Sequence, residues 1–210
     1  ILHLGTVQDP ENPKYLVQDI SGIKVGMICY TYGVIDEDGT KATNLWPVDD
    51  SMNSCINVFD PDHPNAFYTE ITQYISEIRA KGADTVMLFI HWGKEYRLIP
   101  NAQQKTMAQK LCNLGVDVIV GSHPHVVQPV EVLTSTTDPD HNTICIYSMG
   151  NAVSNQRHGN IPACQSAHTE DGILFEITFE KYSDGKVYIA ATEAIPTWVN
   201  MHTTGGVKEY

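Results

Sequence analysis

The apolar positions near the start of the chain form a strand pattern and then a helix pattern. Residues 22–32 are rich in β-branched and aromatic side chains, which predicts a β-strand. The next apolar side chains recur every three or four residues between 64 and 81, at Phe67, Ile71, Ile75 and Ile78. This spacing puts them on one face of an α-helix, and Gly82 lies where a glycine commonly ends a helix.

A second strand and helix follow in the same order. Residues 84–90 are almost entirely apolar, which is typical of a strand buried on both faces of a mainly parallel sheet. The pattern then predicts a helix over 101–114 with Asn101 as its N-cap, an apolar stripe at Met107, Leu111 and Leu114, and Gly115 after its end. Residues 116–120 predict the next strand, so the order is β-α-β-α-β.

Beyond residue 128 the helical pattern disappears and the chain predicts antiparallel β-structure. The predicted strands are 129–134, 143–148, 173–181 and 186–191, with a turn at 183–185 joining the last two. The stretches 33–62 and 155–171 show no regular pattern and are predicted to be polar loops. The second loop could fold over a site, with Arg157 contacting a phosphate or carboxylate, but we expect it to be solvated.

Composition narrows the functional classes. The chain has 13 basic and 25 acidic residues and a formal charge of −12, which argues against a broad contact with nucleic acid. The five cysteines include no CxxC pair, so neither a disulfide framework nor a thiolate zinc site is indicated. No apolar run has the length of a membrane span, although a targeting segment or anchor upstream of Ile1 stays open.

Three polar clusters each begin where a predicted apolar strand ends. They are His91-Trp92-Gly93-Lys94-Glu95, Gly121-Ser122-His123-Pro124-His125 and Ser148-Met149-Gly150-Asn151. In open α/β sheets ligands bind beyond the carboxyl ends of the strands. If the first two strands are parallel neighbours, as the intervening helix implies, the histidines of the first two clusters converge at one edge of the sheet.

The His-Pro-His triplet is the sharpest of these signals. Pro124 favours an extended backbone at His123, and side chains two residues apart on an extended chain project to the same side. Two imidazoles would then face one point, and Glu95 could supply an oxygen to the same ion or to its water. We expect Gly121 and Gly93 to form tight turns around this centre.

Simpler explanations exist for each of these residues alone. The triplet could be a surface loop, and His91 could be a core histidine bonded to the backbone. Their shared position beyond buried strands favours a metal site over these alternatives.

The motifs together resemble a known family. They are HWGKEY at 91–96, Pro100 with Gln104, GVDVIVGSHPHVVQPVE at 115–131, YSMGN at 147–151 and the strand GIKVGMICYTYG at 22–33. This pattern is similar to the bacterial capsule-synthesis, or poly-gamma-glutamate biosynthesis, family known as CapA.

The resemblance implies an α/β fold, a mixed β-sandwich flanked by helices and similar to calcineurin-like metallophosphoesterases. We expect residues 1–210 to form one such domain that lacks its N-terminal part. The family's acidic metal-binding and Asn-Asn-His motifs lie upstream of a segment that resembles His3-Leu4-Gly5. Two departures from the family pattern are Ala152, where an aromatic residue is usual, and Ser122, where a histidine is common.

The resemblance also implies the roles of individual residues. The expected metal ligands are His91, His123, His125, Glu95 and Asn151. Catalysis would rest on Glu95 and His91, with Glu95 tuning the water of the ion or acting as general base. Imidazole and carboxylate ligands fit manganese, zinc or iron about equally, and the complete protein would hold two divalent ions. We expect the 210-residue chain alone to hold an incomplete site and to bind metal weakly or not at all.

Two functional hypotheses follow from the resemblance. The first is a phosphoesterase-like hydrolase that acts on an anionic surface polymer or its precursor. The second is a non-catalytic module for polymer export or assembly that keeps the fold as a scaffold. Both imply a location on the extracellular face of the cell membrane, other capsule-synthesis membrane proteins as partners, no nucleic-acid partner, and a membrane anchor outside this chain.

Overall fold

Strands dominate the computed structural model, which describes residues 2–44, 46–159, 161–164 and 168–209. The elements, in chain order, are β1 Tyr15–Ile20, β2 Ile23–Tyr32, β3 Val34–Ile35, β4 Lys41–Thr43, β5 Trp46–Pro47, a 3₁₀ helix Asp50–Cys55, β6 Val58–Phe59, α1 Asn65–Ala80, β7 Thr85–His91, α2 Ala102–Asn113, β8 Val118–Ser122, β9 Val130–Thr134, β10 Asn142–Ile146, β11 Asp171–Lys181, β12 Val187–Trp198, β13 His202–Thr204 and β14 Val207–Glu209. No helix of the described residues is long and apolar enough to cross a bilayer.

A seven-stranded mixed sheet forms the centre of the fold. Its order is β1-β2-β7-β8-β10-β9, and β6 pairs with the end of β2. Strands β2, β7, β8 and β10 run parallel to one another, while β1 and β9 are antiparallel at the two edges. The carboxyl ends of the four parallel strands therefore meet at one edge of the sheet.

Each face of this sheet is covered by a different layer. Both helices pack on one face, where α1 buries Phe67, Ile71 and Ile78 and α2 buries Met107 and Leu111. The antiparallel ribbon formed by β11 and β12 packs on the other face. Its Ile173, Phe175, Ile177, Phe179 and Ile189 contact Val118, Val120 and Ile146 of the central strands. This arrangement confirms the predicted mixed α/β fold.

The predicted helix boundaries are confirmed by local chemistry. The Asn101 side chain accepts a hydrogen bond from the Gln104 amide, and the Gln104 side chain accepts one from the Asn101 amide, which is a capping box. Gly82 and Gly115 follow the two helices with φ of 81° and 93°. These are backbone conformations in which glycine avoids the steric cost of a side chain.

The structure corrects the predicted loop over 33–62. This stretch contains the three-stranded sheet β3-β4-β5, the 3₁₀ helix and β6. The three strands of that sheet are two or three residues long, too short to show an alternating pattern of apolar side chains.

Predictions at the edges and at the end of the chain also differ from the structure. Strand β1 was not predicted, because its second half (Gln18–Ile20) is exposed at the sheet edge. Strand β12 extends to Trp198, well beyond the predicted end at 191, although Glu193 and Pro196 disfavour strands. Strand β10 pairs in parallel with β8, so the portion after residue 129 is not purely antiparallel.

Candidate metal centre

Strands β7 and β8 place His91, Glu95, His123 and His125 at one edge of the sheet. His91 ends β7 and pairs with Ser122, which ends β8. The loops that follow are tied together, since the Trp92 amide donates to the Ser122 carbonyl at 3.1 Å and the Tyr96 amide donates to the Pro124 carbonyl at 2.8 Å. Parallel pairing thus brings the first two polar clusters side by side.

Glu95, His123 and His125 form a group that is able to bind a metal ion. Their candidate ligand atoms all lie within 4.8 Å of one another, and His125 Nε2 is 3.6 Å from Glu95 Oε1. The three residues line an open cleft of about 770 Å³. The other residues of its wall are Tyr32, Asn44, His91, Gly93 and Lys94. Two imidazoles and one carboxylate suit zinc, manganese or iron, so this donor set fits the divalent ion that the sequence predicted.

His91 lies beside this group rather than within it. Its ring centroid is 4.5 Å from that of His123, and its ring stacks on Tyr32 with centroids 5.6 Å apart. The Nδ1 atom of His91 is 3.2 Å from the Thr31 hydroxyl. The structure therefore brings His91 to the cleft, while its roles as ligand and catalyst stay predictions.

The backbone of the His-Pro-His triplet differs from the prediction. His123 and His125 have φ of 99° and 58°, so neither is extended. The chain turns sharply on both sides of Pro124, which costs about 1–3 kcal/mol at each such residue and is common at functional sites. The rings nevertheless converge, with centroids 6.0 Å apart, because the tied loops hold both turns in place.

Burial and neighbouring imidazoles keep the rings of His91 and His123 neutral. Burial, followed by the neighbouring His123 and His125, lowers the pKa of His91 to about 4. Burial and His125 likewise lower the pKa of His123 to about 4. At neutral pH both rings therefore carry a free lone pair, which is the form in which histidine binds metal.

The glycines of the two clusters serve different purposes. Gly93 has φ of 86° and turns the chain after β7, as predicted. Gly121 instead lies within β8, where an added Cβ would be 2.1 Å from the Tyr147 carbonyl oxygen and 2.6 Å from Trp92 Nε1. It permits a close approach of two strands rather than a turn.

Gln104 joins helix α2 to the site. Its side-chain nitrogen donates to Gln128 at 3.0 Å, and Gln128 donates to the Arg97 carbonyl at 2.7 Å. A Cβ added at Gly93 would lie 2.7 Å from Gln104 Cδ. The start of α2 therefore packs directly against the loops that carry Glu95 and His125.

Asn151 lies behind His125, on the side away from Glu95. Its Oδ1 is 2.9 Å from His125 Nδ1, whereas His125 Nε2 is the atom that faces Glu95. Its Nδ2 donates to the carbonyls of His125 and Thr169 at 3.2 and 2.9 Å. The Asn151 oxygen is thus occupied by the ring of His125, and direct ligation by this residue stays a prediction.

Arg157 is not solvated, contrary to the expectation for its loop. Its side chain is 13% exposed, donates to the Val199 carbonyl at 2.6 Å and lies 3.7 Å from Glu170. Arg157 thus anchors its loop to the segments that flank the β11–β12 ribbon.

Two residues of the cleft were absent from the sequence prediction. Tyr32 ends β2 at the same sheet edge as His91, so strand topology would have placed it there. Asn44 follows the three-residue strand β4 and lies in the cleft only because of the fold of the β3-β4-β5 sheet. No local pattern marks it.

Comparison with known proteins decides the family. Residues 1–156 match the sequence model of the family described as "Bacterial capsule synthesis protein PGA_cap". The chain belongs to this family. All five predicted site residues lie within the matched segment of this capsule synthesis family member.

Two curated relatives are similar over part of their length. The PGA biosynthesis protein CapA of Bacillus subtilis (strain 168) is 33% identical over 135 residues, which are 64% of this chain and 30% of that protein. The capsule biosynthesis protein CapA of Bacillus anthracis is 29% identical over 155 residues, which are 73% of this chain and 33% of that protein. The matched part of this family member thus spans about a third of each relative.

Proposed function

We propose that this chain is the metal-binding region of a protein that acts in capsule or poly-gamma-glutamate biosynthesis. Its family membership and the names of the two relatives support this role. We further propose that the site hydrolyses a phosphoester or related bond in an anionic surface polymer or its precursor. The grouping of Glu95, His123 and His125 beyond the parallel strands is the observation that carries the proposal.

Four residues of the cleft would have a defined place in such a reaction. Glu95, His123 and His125 would hold a divalent ion, which when bound supplies Lewis-acid polarisation and a water of lowered pKa. Glu95 is half exposed to the cleft and is able to accept a proton from an attacking water. Lys94 places a positive charge on the wall of the same cleft, where it would favour an anionic substrate.

The cellular setting is part of the proposal. An anionic surface polymer is handled outside the cell, so we place the site on the extracellular face of the membrane, in contact with other capsule-synthesis membrane proteins. The family resemblance also supports a second divalent ion, held by ligands other than Glu95, His123 and His125.

The experiment is a titration of the 210-residue chain with Zn²⁺ or Mn²⁺, monitored through the histidine ring resonances by NMR. We expect weak binding that shifts or broadens His123 and His125 and is lost in His123→Ala and Glu95→Gln. The matched control is His63→Ala, because His63 is exposed and pairs with Asp60 away from the cleft.

Hydrolysis is tested separately with bis(p-nitrophenyl) phosphate in the presence of metal. Metal-dependent turnover that disappears in Glu95→Gln supports the hydrolase. Equal metal binding by wild type and His123→Ala would refute the site. Because this chain alone is expected to hold an incomplete site, the same assay is run on a chain extended upstream of Ile1. Metal binding without turnover in the extended chain would refute the hydrolase and favour the non-catalytic polymer-handling module.

A further inference from the structure

The contacts of Asn151 determine which way round its side-chain amide lies. The residue is 8% exposed, and its side-chain nitrogen faces the carbonyl oxygens of His125 and Thr169 at 3.2 and 2.9 Å. Carbonyl oxygens only accept hydrogen bonds, so the group that faces them must be the NH₂. The reverse orientation would place Oδ1 against two other oxygens in a buried position. Oδ1 therefore points at His125 Nδ1, 2.9 Å away.

This orientation decides the proton position on His125. Oδ1 is an acceptor, so Nδ1 of His125 has to carry the hydrogen. A neutral imidazole has one N–H, and the other nitrogen then keeps a free lone pair. That other nitrogen is Nε2, which lies 3.6 Å from Glu95 Oε1 on the side of the cleft.

We propose that Asn151 is a positioning residue that locks His125 in the tautomer with the proton on Nδ1, so that Nε2 is ready to bind metal. The inference rests on the proposed metal site for its purpose, but the tautomer itself is a property of the metal-free protein. Partners that orient a ligating histidine commonly change metal affinity about 10–100-fold when they are removed.

The orientation of the Asn151 amide depends on a part of the chain that is distant in sequence. Thr169 immediately precedes Glu170 and β11, and its carbonyl fixes the Asn151 amide. Gly150 and Gly172 form an antiparallel bridge, and a Cβ added at Gly150 would lie 2.5 Å from the Asp171 carbonyl oxygen. The backbone where the β11–β12 ribbon meets the sheet thus helps to orient the Asn151 amide, and through it the tautomer of His125.

The test uses long-range ¹H–¹⁵N NMR of metal-free protein labelled with ¹⁵N-histidine, at pH 8, where imidazoles are mainly neutral. His125→Gln identifies the resonance of His125. We expect Nδ1–H at His125 in the wild type, and a change towards Nε2–H in Asn151→Ala with a zinc affinity lowered about 10–100-fold. Asn12→Ala, an exposed position in the N-terminal loop, is the matched control.

Asn151→Asp separates the positioning role from a merely structural one. It keeps an oxygen acceptor for Nδ1 but loses the NH₂ that anchors the side chain, so it should be less stable and yet retain the Nδ1–H tautomer. An Nε2–H tautomer in the wild type, or an unchanged tautomer in Asn151→Ala, would overturn the inference. If wild-type His125 carries Nδ1–H and a chain extended upstream of Ile1 binds no zinc either, the proposed metal site is refuted and the tautomer assignment stands.

Discussion

Gly121→Ala tests the close approach of β8 to Tyr147, the residue that follows β10. The added Cβ would lie 2.1 Å from the Tyr147 carbonyl oxygen and 2.6 Å from Trp92 Nε1. Cβ atoms essentially never approach other atoms closer than 3.0 Å, and here the obstacle is backbone. The two strands must therefore separate, and the hydrogen bond from Trp92 Nε1 to the Tyr147 carbonyl, 3.0 Å long and buried, must stretch or break.

The cost of Gly121→Ala follows from these two effects. Overpacking a rigid core costs about 1–3 kcal/mol, and a buried hydrogen bond left unmade costs about 1–3 kcal/mol more. Replacing glycine also lowers the conformational entropy of the unfolded chain, which stabilises the folded state by about 0.4–1 kcal/mol. We expect the free energy of unfolding to fall by about 1–5.6 kcal/mol, which at the upper end is a large part of the stability of an ordinary domain.

The assay is urea unfolding of metal-free protein, with the indole N–H exchange rate of Trp92 as a local readout. Gly39→Ala is the matched control, because Gly39 has φ of 86° and open space around its Cα. It should cost only the backbone strain of roughly 1 kcal/mol. If Gly121→Ala is no more destabilising than Gly39→Ala and leaves Trp92 exchange unchanged, the packing argument is refuted.

Two further predictions concern the stability of the scaffold. Asp117 accepts from Arg79 at 2.7 Å and from the Val86 amide at 2.6 Å, so Asp117→Asn should lower the free energy of unfolding by about 1–3 kcal/mol in urea titrations. The exposed Asp140→Asn should have almost no effect, and equal losses in the two variants would contradict this assignment. Asn101→Ala removes the N-cap of α2 and should cost about 1 kcal/mol by thermal unfolding, whereas an unchanged midpoint would mean that the capping box contributes nothing.

Periodicity along the chain predicted the elements that build the centre of the fold. The apolar stripe of α1 is buried, and every residue of β7 is buried or half-buried, so each element is strongly constrained by the core. Strands β3 to β5 are short and partly exposed, and they depend on pairing with one another rather than on a hydrophobic face. Such elements have no clear pattern of apolar residues by which a single sequence could predict them.

The sequence was enough to predict that Glu95, His123 and His125 lie together, but not the geometry of the candidate site. Parallel strand ends were enough to bring Glu95, His123 and His125 together. The backbone turns at the two histidines were missed, because Pro124 by itself favours an extended conformation at the preceding residue and tertiary contacts override that preference. The position of Asn151 behind His125 depends on a carbonyl 18 residues away in sequence, which no local pattern could reveal.

The three contacts of Gln104 limit how the protein can be altered or recombined. One side chain completes the first turn of α2, bonds to Gln128 and fills the space that Gly93 leaves open. A helix transplanted from a relative would therefore need a glutamine at position 104, and the recipient would need Gly93 and Gln128 to receive it. Without these residues, the loops that carry the metal-binding side chains would shift. In family members the three positions should vary together rather than one at a time, and a chimaera that exchanges α2 alone should keep its fold but lose the geometry of the cleft.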